Sequence, residues 1–167
     1  MATTIKLSSP KQLGPAVRLL TRQMDRGVIK ALQLTARYGA TQALRVSAAT
    51  DPRPRATGTF ERSFVVTKLS DGAVLSNAAR HARFVEVGRA AGRQPPVQAI
   101  LGWMLAKRMT FASEAEQLAT ARKIARAIGR RGIKGRYILK RTVPIMRKRM
   151  EVEIARQVQR VFDKASR

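Results

Sequence analysis

The sequence predicts an α+β fold: a long N-terminal helix, a small antiparallel sheet with a hairpin, and helices at the C-terminal end. Three observations carry this. From Leu13 to Thr35 the apolar residues step by three or four, which lines one face of a helix. The β-branched run Ser63–Leu69, the triplet Ser70-Asp71-Gly72 and a second run, Val74–Asn77, have the order strand, turn, strand, with Asp-Gly supplying the tolerated positive φ. Beyond residue 96 the apolar spacing returns to three and four, the helical period.

Taken in order, residues 1–9 read as a flexible or edge-strand arm. Pro15, after Gly14, suits the first turn of a helix, where its missing N–H does no harm. Leu13, Val17, Leu20, Met24, Val28, Leu32 and Thr35 form the apolar stripe, and Arg18, Arg22, Arg26 and Lys30 line another face. Gly27 weakens this helix. The pattern continues to about Ala48, roughly 30 residues or about 45 Å. Two prolines and a glycine in Thr50–Gly58 then rule out a continuous helix. This segment reads as a loop carrying Arg53 and Arg55, and mobile loops are expected near 49–60 and 88–96. A lone hairpin is marginal in water, so the 63–77 hairpin should pair with more strands: from the N-terminal arm, the 84–87 segment or a neighbouring subunit.

Residues 79–88 are compatible with two structures. Alternation at Ala82, Phe84 and Glu86 fits a strand. A short helical turn closed by Gly88 in the left-handed conformation fits as well. Either way Phe84 and Val85 are expected to be buried and Glu86 solvated. Val97, Ile100, Leu101, Met104 and Leu105 then predict a short amphipathic helix, with Trp103 off the stripe and either partly exposed, at an interface, or packed at the core edge. Ser113 and Glu116 have the spacing of a capping box. The stripe Leu118, Ala121, Ile124, Ala125 and Ile128 follows, and Gly129 and Gly132 should stop that helix. A last helix is expected from near Pro144 to about Lys164, with Met146, Met150, Ile154, Val158 and Val161 on its apolar face. The whole reads as one domain.

Charge is the largest compositional signal. The chain has 34 Lys and Arg against 10 Asp and Glu, a net charge of +24. That imbalance destabilises an isolated compact monomer and calls for a polyanionic partner. Between Gln117 and Met150 there is no acid at all. Within this window Arg130, Arg131, Lys134 and Arg136 surround three glycines, so cations and close-approaching backbone could contact phosphates. A solvated basic loop, or a loop that docks on acidic protein neighbours, would have the same composition. The absence of cysteine excludes disulfides, thiolate metal sites and cysteine nucleophiles. His81 is the only histidine. Glu114/Glu116 and Glu151/Glu153 are each two residues apart, so on a helix each pair diverges. The segment 129–135 lacks the spacing and the Lys-Ser/Thr of a Walker loop. No enzyme, cofactor or metal is therefore expected. No run of 18 apolar residues occurs, so no membrane-spanning helix is expected.

Three segments also carry a resemblance. Thr57-Gly58-Thr59-Phe60-Glu61-Arg62-Ser63-Phe64, then Ala82-Arg83-Phe84-Val85-Glu86-Val87-Gly88, then Gly132-Ile133-Lys134-Gly135-Arg136-Tyr137-Ile138-Leu139 resemble, in order, segments of the neck and tail-completion proteins of long-tailed double-stranded DNA phages. The departures are His81 where a Tyr is usual, Arg89 where a Thr often follows the glycine, and Tyr137 where a Pro is usual. The resemblance implies a non-enzymatic virion protein assembled in the host cytoplasm. It implies a homo-oligomeric ring at the head–tail junction or tail end that contacts other neck, connector or tail proteins. Its basic surfaces would face double-stranded DNA or acidic neighbouring rings. A non-enzymatic basic nucleic-acid-binding protein is the alternative that the charge supports equally.

Overall fold

The computed structural model describes residues 10–52 and 57–166, with the side chains of 10–13 and 16 left aside. The arm 1–9, and with it the expected edge strand, lies outside the described residues, as do Arg53 and Arg55. The element order is α1 (Pro10–Ala48), α2 (Thr59–Arg62), β1 (Phe64–Lys68), β2 (Ala73–Asn77), α3 (Ala82–Glu86), β3 (Gly88–Arg89), α4 (Val97–Ala106), α5 (Glu114–Arg131), β4 (Ile133–Lys134) and α6 (Ile138–Ala165). This is the expected α+β fold. The chain forms two compact units, one of Met1–Gln42, Val66–Ser76 and Val143–Arg167, the other of Ala43–Val65 and Asn77–Thr142.

In the first unit α1 and α6 run antiparallel. Gly27 lies against Gln157 and Val161, while Gly39 lies against Met146, where an added Cβ would overlap the thioether. As one helix advances the other therefore retreats. The buried positions of α1 here are Ala31, Thr35, Ala36, Gly39 and Gln42. This corrects the larger apolar stripe: Leu20, Met24, Val28 and Leu32 are only half-buried, and Val17 is exposed. Close approach of two helices selects small residues at the contact, and larger ones flank it. Pro10 takes the first helical position; Pro15 sits inside the helix, one turn later than expected. The β1–β2 hairpin closes through Leu69 N–H to the Gly72 carbonyl at 3.0 Å. Among the described residues no third strand joins it. Gly72 packs on Leu32 of α1 instead, so a helix does what additional strands were expected to do.

The second unit holds the larger apolar side chains. Ile100 and Met104 of α4 meet Ala121 and Ala125 of α5, with Val97, Leu101, Phe111, Ile124 and Ile128 packed around them. Leu105, expected on this face, is 73% exposed. A second cluster joins Ala43, Phe60 and Ile138, flanked by Val46, Phe64, Ala82, Val85 and Leu139. The capping box forms: Ser113 Oγ accepts from Glu116 N–H at 3.2 Å, and Glu116 Oε2 accepts from Ala112 N–H at 2.8 Å. Gly129 does not stop α5. It lies within the helix, where the lack of a side chain admits Gly92 and Gln94, and the stop is Gly132, at φ 71°.

Candidate functional site

The three segments behind the resemblance lie in the second unit, two of them joined backbone to backbone. Of the two structures open for 79–88, the helical turn forms: α3 is closed by Gly88 at φ 77°. Gly88 then pairs with Lys134, and Arg89 with Ile133, in an antiparallel ladder. The ladder is continued by Arg136 N–H to the Val85 carbonyl at 2.8 Å and Tyr137 N–H to the Glu86 carbonyl at 2.9 Å. At Gly88 a Cβ would overlap the Ile133 carbonyl oxygen; at Gly135 it would press on the Val87 and Glu86 carbonyl groups at 2.6–2.8 Å. These two motif glycines face each other because nothing larger fits between the chains.

Glu86 is half-buried and bonded to backbone, not simply solvated. Its carboxylate accepts from Leu139 N–H at 3.0 Å and from Lys140 N–H at 2.9 Å, in the first turn of α6. Unpaired amides and the helix dipole favour a negative group there. This long-range cap explains why α6 begins at Ile138, ahead of Pro144. The third segment is locally wired. Arg62 Nη2 donates to the Thr57 carbonyl at 2.9 Å and Ser63 Oγ donates to the Thr59 carbonyl at 2.7 Å, while Gly58 adopts φ 76°. Phe60 of this segment is buried, edge-on to Phe64 with ring centroids 5.3 Å apart.

Phe84 is not buried as expected. It is 47% exposed, because α3 is one short turn that directs Ala82 and Val85 inward and leaves Phe84 on the outer face. Val85 is half-buried against the Phe60 and Ile138 cluster. Phe84 helps line an open, mostly apolar groove of about 570 Å³, together with Phe60, Val85, Trp103 and Ile133. Trp103 is 42% exposed, matching its expected place off the helix stripe. The groove was not predicted, since its walls come from four separate stretches of chain.

Of the four cations in the glycine-rich run, Arg130, Arg131 and Lys134 are exposed. Arg136 differs. Its Nε donates to the Pro52 carbonyl at 2.8 Å and its Nη1 to the Lys134 carbonyl at 3.3 Å, so it ties a loop to β4 and is no free phosphate contact. Tyr137 adopts φ 53°, which a proline, locked near −65°, could not. His81 is exposed at the groove, its ring centroid 6.2 Å from that of Phe60. Among the described residues no three His, Asp or Glu side chains come together as a metal site, and no helix is long and apolar enough to cross a membrane. Comparison with family models, with curated proteins and with solved structures finds no match.

Proposed function

We propose that the chain is a structural virion subunit of a tailed double-stranded DNA phage, assembling with copies of itself into a neck or tail-completion ring at the head–tail junction. The observation that carries this reading is the way the Val85–Gly88 and Gly132–Leu139 segments interlock, with Glu86 capping α6 and Gly88 against Gly135. Two of the three segments that bear the resemblance are thus joined in the fold. Two further features support a ring. A charge of +24 on a chain of 18.5 kDa favours an anionic environment over an isolated monomer. Val17, Leu19, Val152 and Phe162 of the helical unit are each 46–59% exposed, which neighbouring copies would cover. Arg130, Arg131 and Lys134 recur once per subunit in such a ring, so weak contacts to DNA or to acidic neighbouring rings add through multivalency.

The sedimentation mass of the purified protein, with electron microscopy of the same sample, tests this. Closed rings with a central channel are expected. The triple variant R130A/R131A/K134A should fold normally and reduce the salt slope of DNA binding by about 2–3, since each lost phosphate contact removes close to one counterion. A monomer at all concentrations that still binds duplex DNA would replace the ring with the nucleic-acid-binding alternative.

A further inference from the structure

One residue lining the groove is explained by nothing in the fold. Gly102 lies in the interior of α4, where glycine costs a helix about 1 kcal/mol relative to alanine. Gly88, Gly132 and Gly135 of the same unit are required because a Cβ would strike neighbouring backbone; at Gly102 an added Cβ would meet nothing within 4 Å. With Ala99, Trp103 and Ala106, Gly102 forms the face of α4 that lines the groove, at helical spacings of three, four and seven residues. The effect of the missing side chain is to keep the groove open.

We propose that this groove docks a segment of a partner protein that carries an apolar anchor flanked by acidic residues. The anchor follows from the lining, where Phe84, Trp103 and Ile133 are 37–47% exposed. A concavity of about 570 Å³ is within the range that encloses a few side chains. The acidic flanks follow from charge complementarity. The exposed Arg80 and Arg83 bracket His81 and precede Phe84, and the exposed Lys134 follows Ile133. Glu86, on the helix that supplies Phe84, is committed to the amides of α6. A second copy of this chain is a poor occupant, having only 10 acids among 34 bases. Nucleic acid is also a poor occupant: Phe84 and Trp103 offer rings to bases, but the lining Arg136 already donates to two backbone carbonyls and is no free phosphate contact. The proposal goes beyond the ring reading and stands without it.

Selection of short random peptides displayed against the purified protein tests it, with Gly102→Leu as the counter-target. The chain has one tryptophan, and it lines the groove, so its emission reports occupancy. Recovered peptides are expected to combine aromatic or aliphatic residues with Asp and Glu and to shift the Trp103 emission. Gly102→Leu should weaken them by about tenfold or more, a change of the size set by one buried contact, and its melting temperature should equal or exceed that of the parent. Phe84→Glu, at an exposed position, should weaken them independently through charge repulsion. Four results would each overturn the proposal. They are failure to enrich any acidic peptide, binding unchanged in both variants, displacement of the peptide by single-stranded oligothymidylate, and loss of self-association in Gly102→Leu, which would make the occupant a second copy.

Discussion

The two compact units bury different chemistry. In the unit built on the α1–α6 pair, the buried residues are small or polar: Ala31, Thr35, Ala36, Gln42, Glu153 and Gln157. Glu153 is satisfied by Arg149 at 2.5 Å and Arg156 at 3.1 Å, but Thr35 Oγ1, Gln42 Nε2 and Gln157 Nε2 find no hydrogen-bond partner among the described residues. In the other unit the interior holds larger apolar side chains, Phe60, Ile100, Met104 and Ile138, with alanines and the small polar Ser47, Thr50 and Thr142 among them, and backbone ladders and one carboxylate cap fix its register. Small residues let two helices approach but bury little apolar area per residue. The second unit gains more from burial and depends on a few backbone contacts that tolerate no added atom. The first should therefore respond to changes in polarity, the second to changes in shape.

The largest expected effect is at Gly88. Gly88→Ala places a Cβ against the Ile133 carbonyl on a residue held at φ 77°. Backbone cannot move aside as a side-chain tip can, so strain and overpacking together should cost at least about 3 kcal/mol. The denaturation midpoint measures this. A loss within about 0.5 kcal/mol, the range of ordinary surface changes, would mean that the β3–β4 ladder is dispensable and that the shape-limited unit is misidentified.

Glu86→Ala comes next. It leaves the Leu139 and Lys140 amides uncapped, at an expected cost of about 2 kcal/mol. Glu86→Gln keeps an acceptor and loses the charge, so it should recover part of that. Hydrogen exchange at these two amides should quicken in the alanine variant well before exchange at Ala121 or Ala125. Uniform quickening would assign Glu86 a role in global stability and none specific to the cap.

Those two positions also show what the sequence could and could not disclose. Elements set by nearest neighbours were legible: the Asp-Gly hairpin, the Ser113 capping box, the Ile100–Met104 face and the glycine stop at 132 depend on residues within a turn or two. The α6 start was not. Pro144 looked like a first-turn residue, while the actual cap, Glu86, is 53 positions from Leu139. Phe84 was misplaced because an apolar residue in an apolar run gives no sign of which side a single helical turn will expose. Arg136 looked like the other cations of its run; only the fold shows that the Pro52 carbonyl takes its guanidinium. The glycines of the two motif segments were recognisable as a pattern, but their reason, contact with each other, is a property of the folded chain.

The smallest effect should have the opposite sign. Gln157 is 5% exposed, its side-chain Cβ lies 3.5 Å from where a Cβ of Gly27 would be, and its Nε2 is unpartnered. Burying an amide donor without a partner costs about 1–3 kcal/mol, a cost that Met would not carry. Methionine has the same unbranched length and a similar helix propensity, and its flexible thioether adapts to an irregular gap. The carbonyl end of the Gln157 side chain is lost too, so the net gain from Gln157→Met should be near the low end, about 1 kcal/mol, or about 2–4 °C in melting temperature for a chain of this size. The counterpart in the apolar unit is smaller: its buried Met104 and Ile138 are already thioether and hydrocarbon, and Ser47 Oγ is its buried side-chain polar atom without a partner among the described residues. If Gln157→Met instead lowers stability by more than about 1 kcal/mol, the amide has a partner that matters. The helical unit would then be a satisfied polar network, and the contrast between the two interiors would reduce to one of residue size.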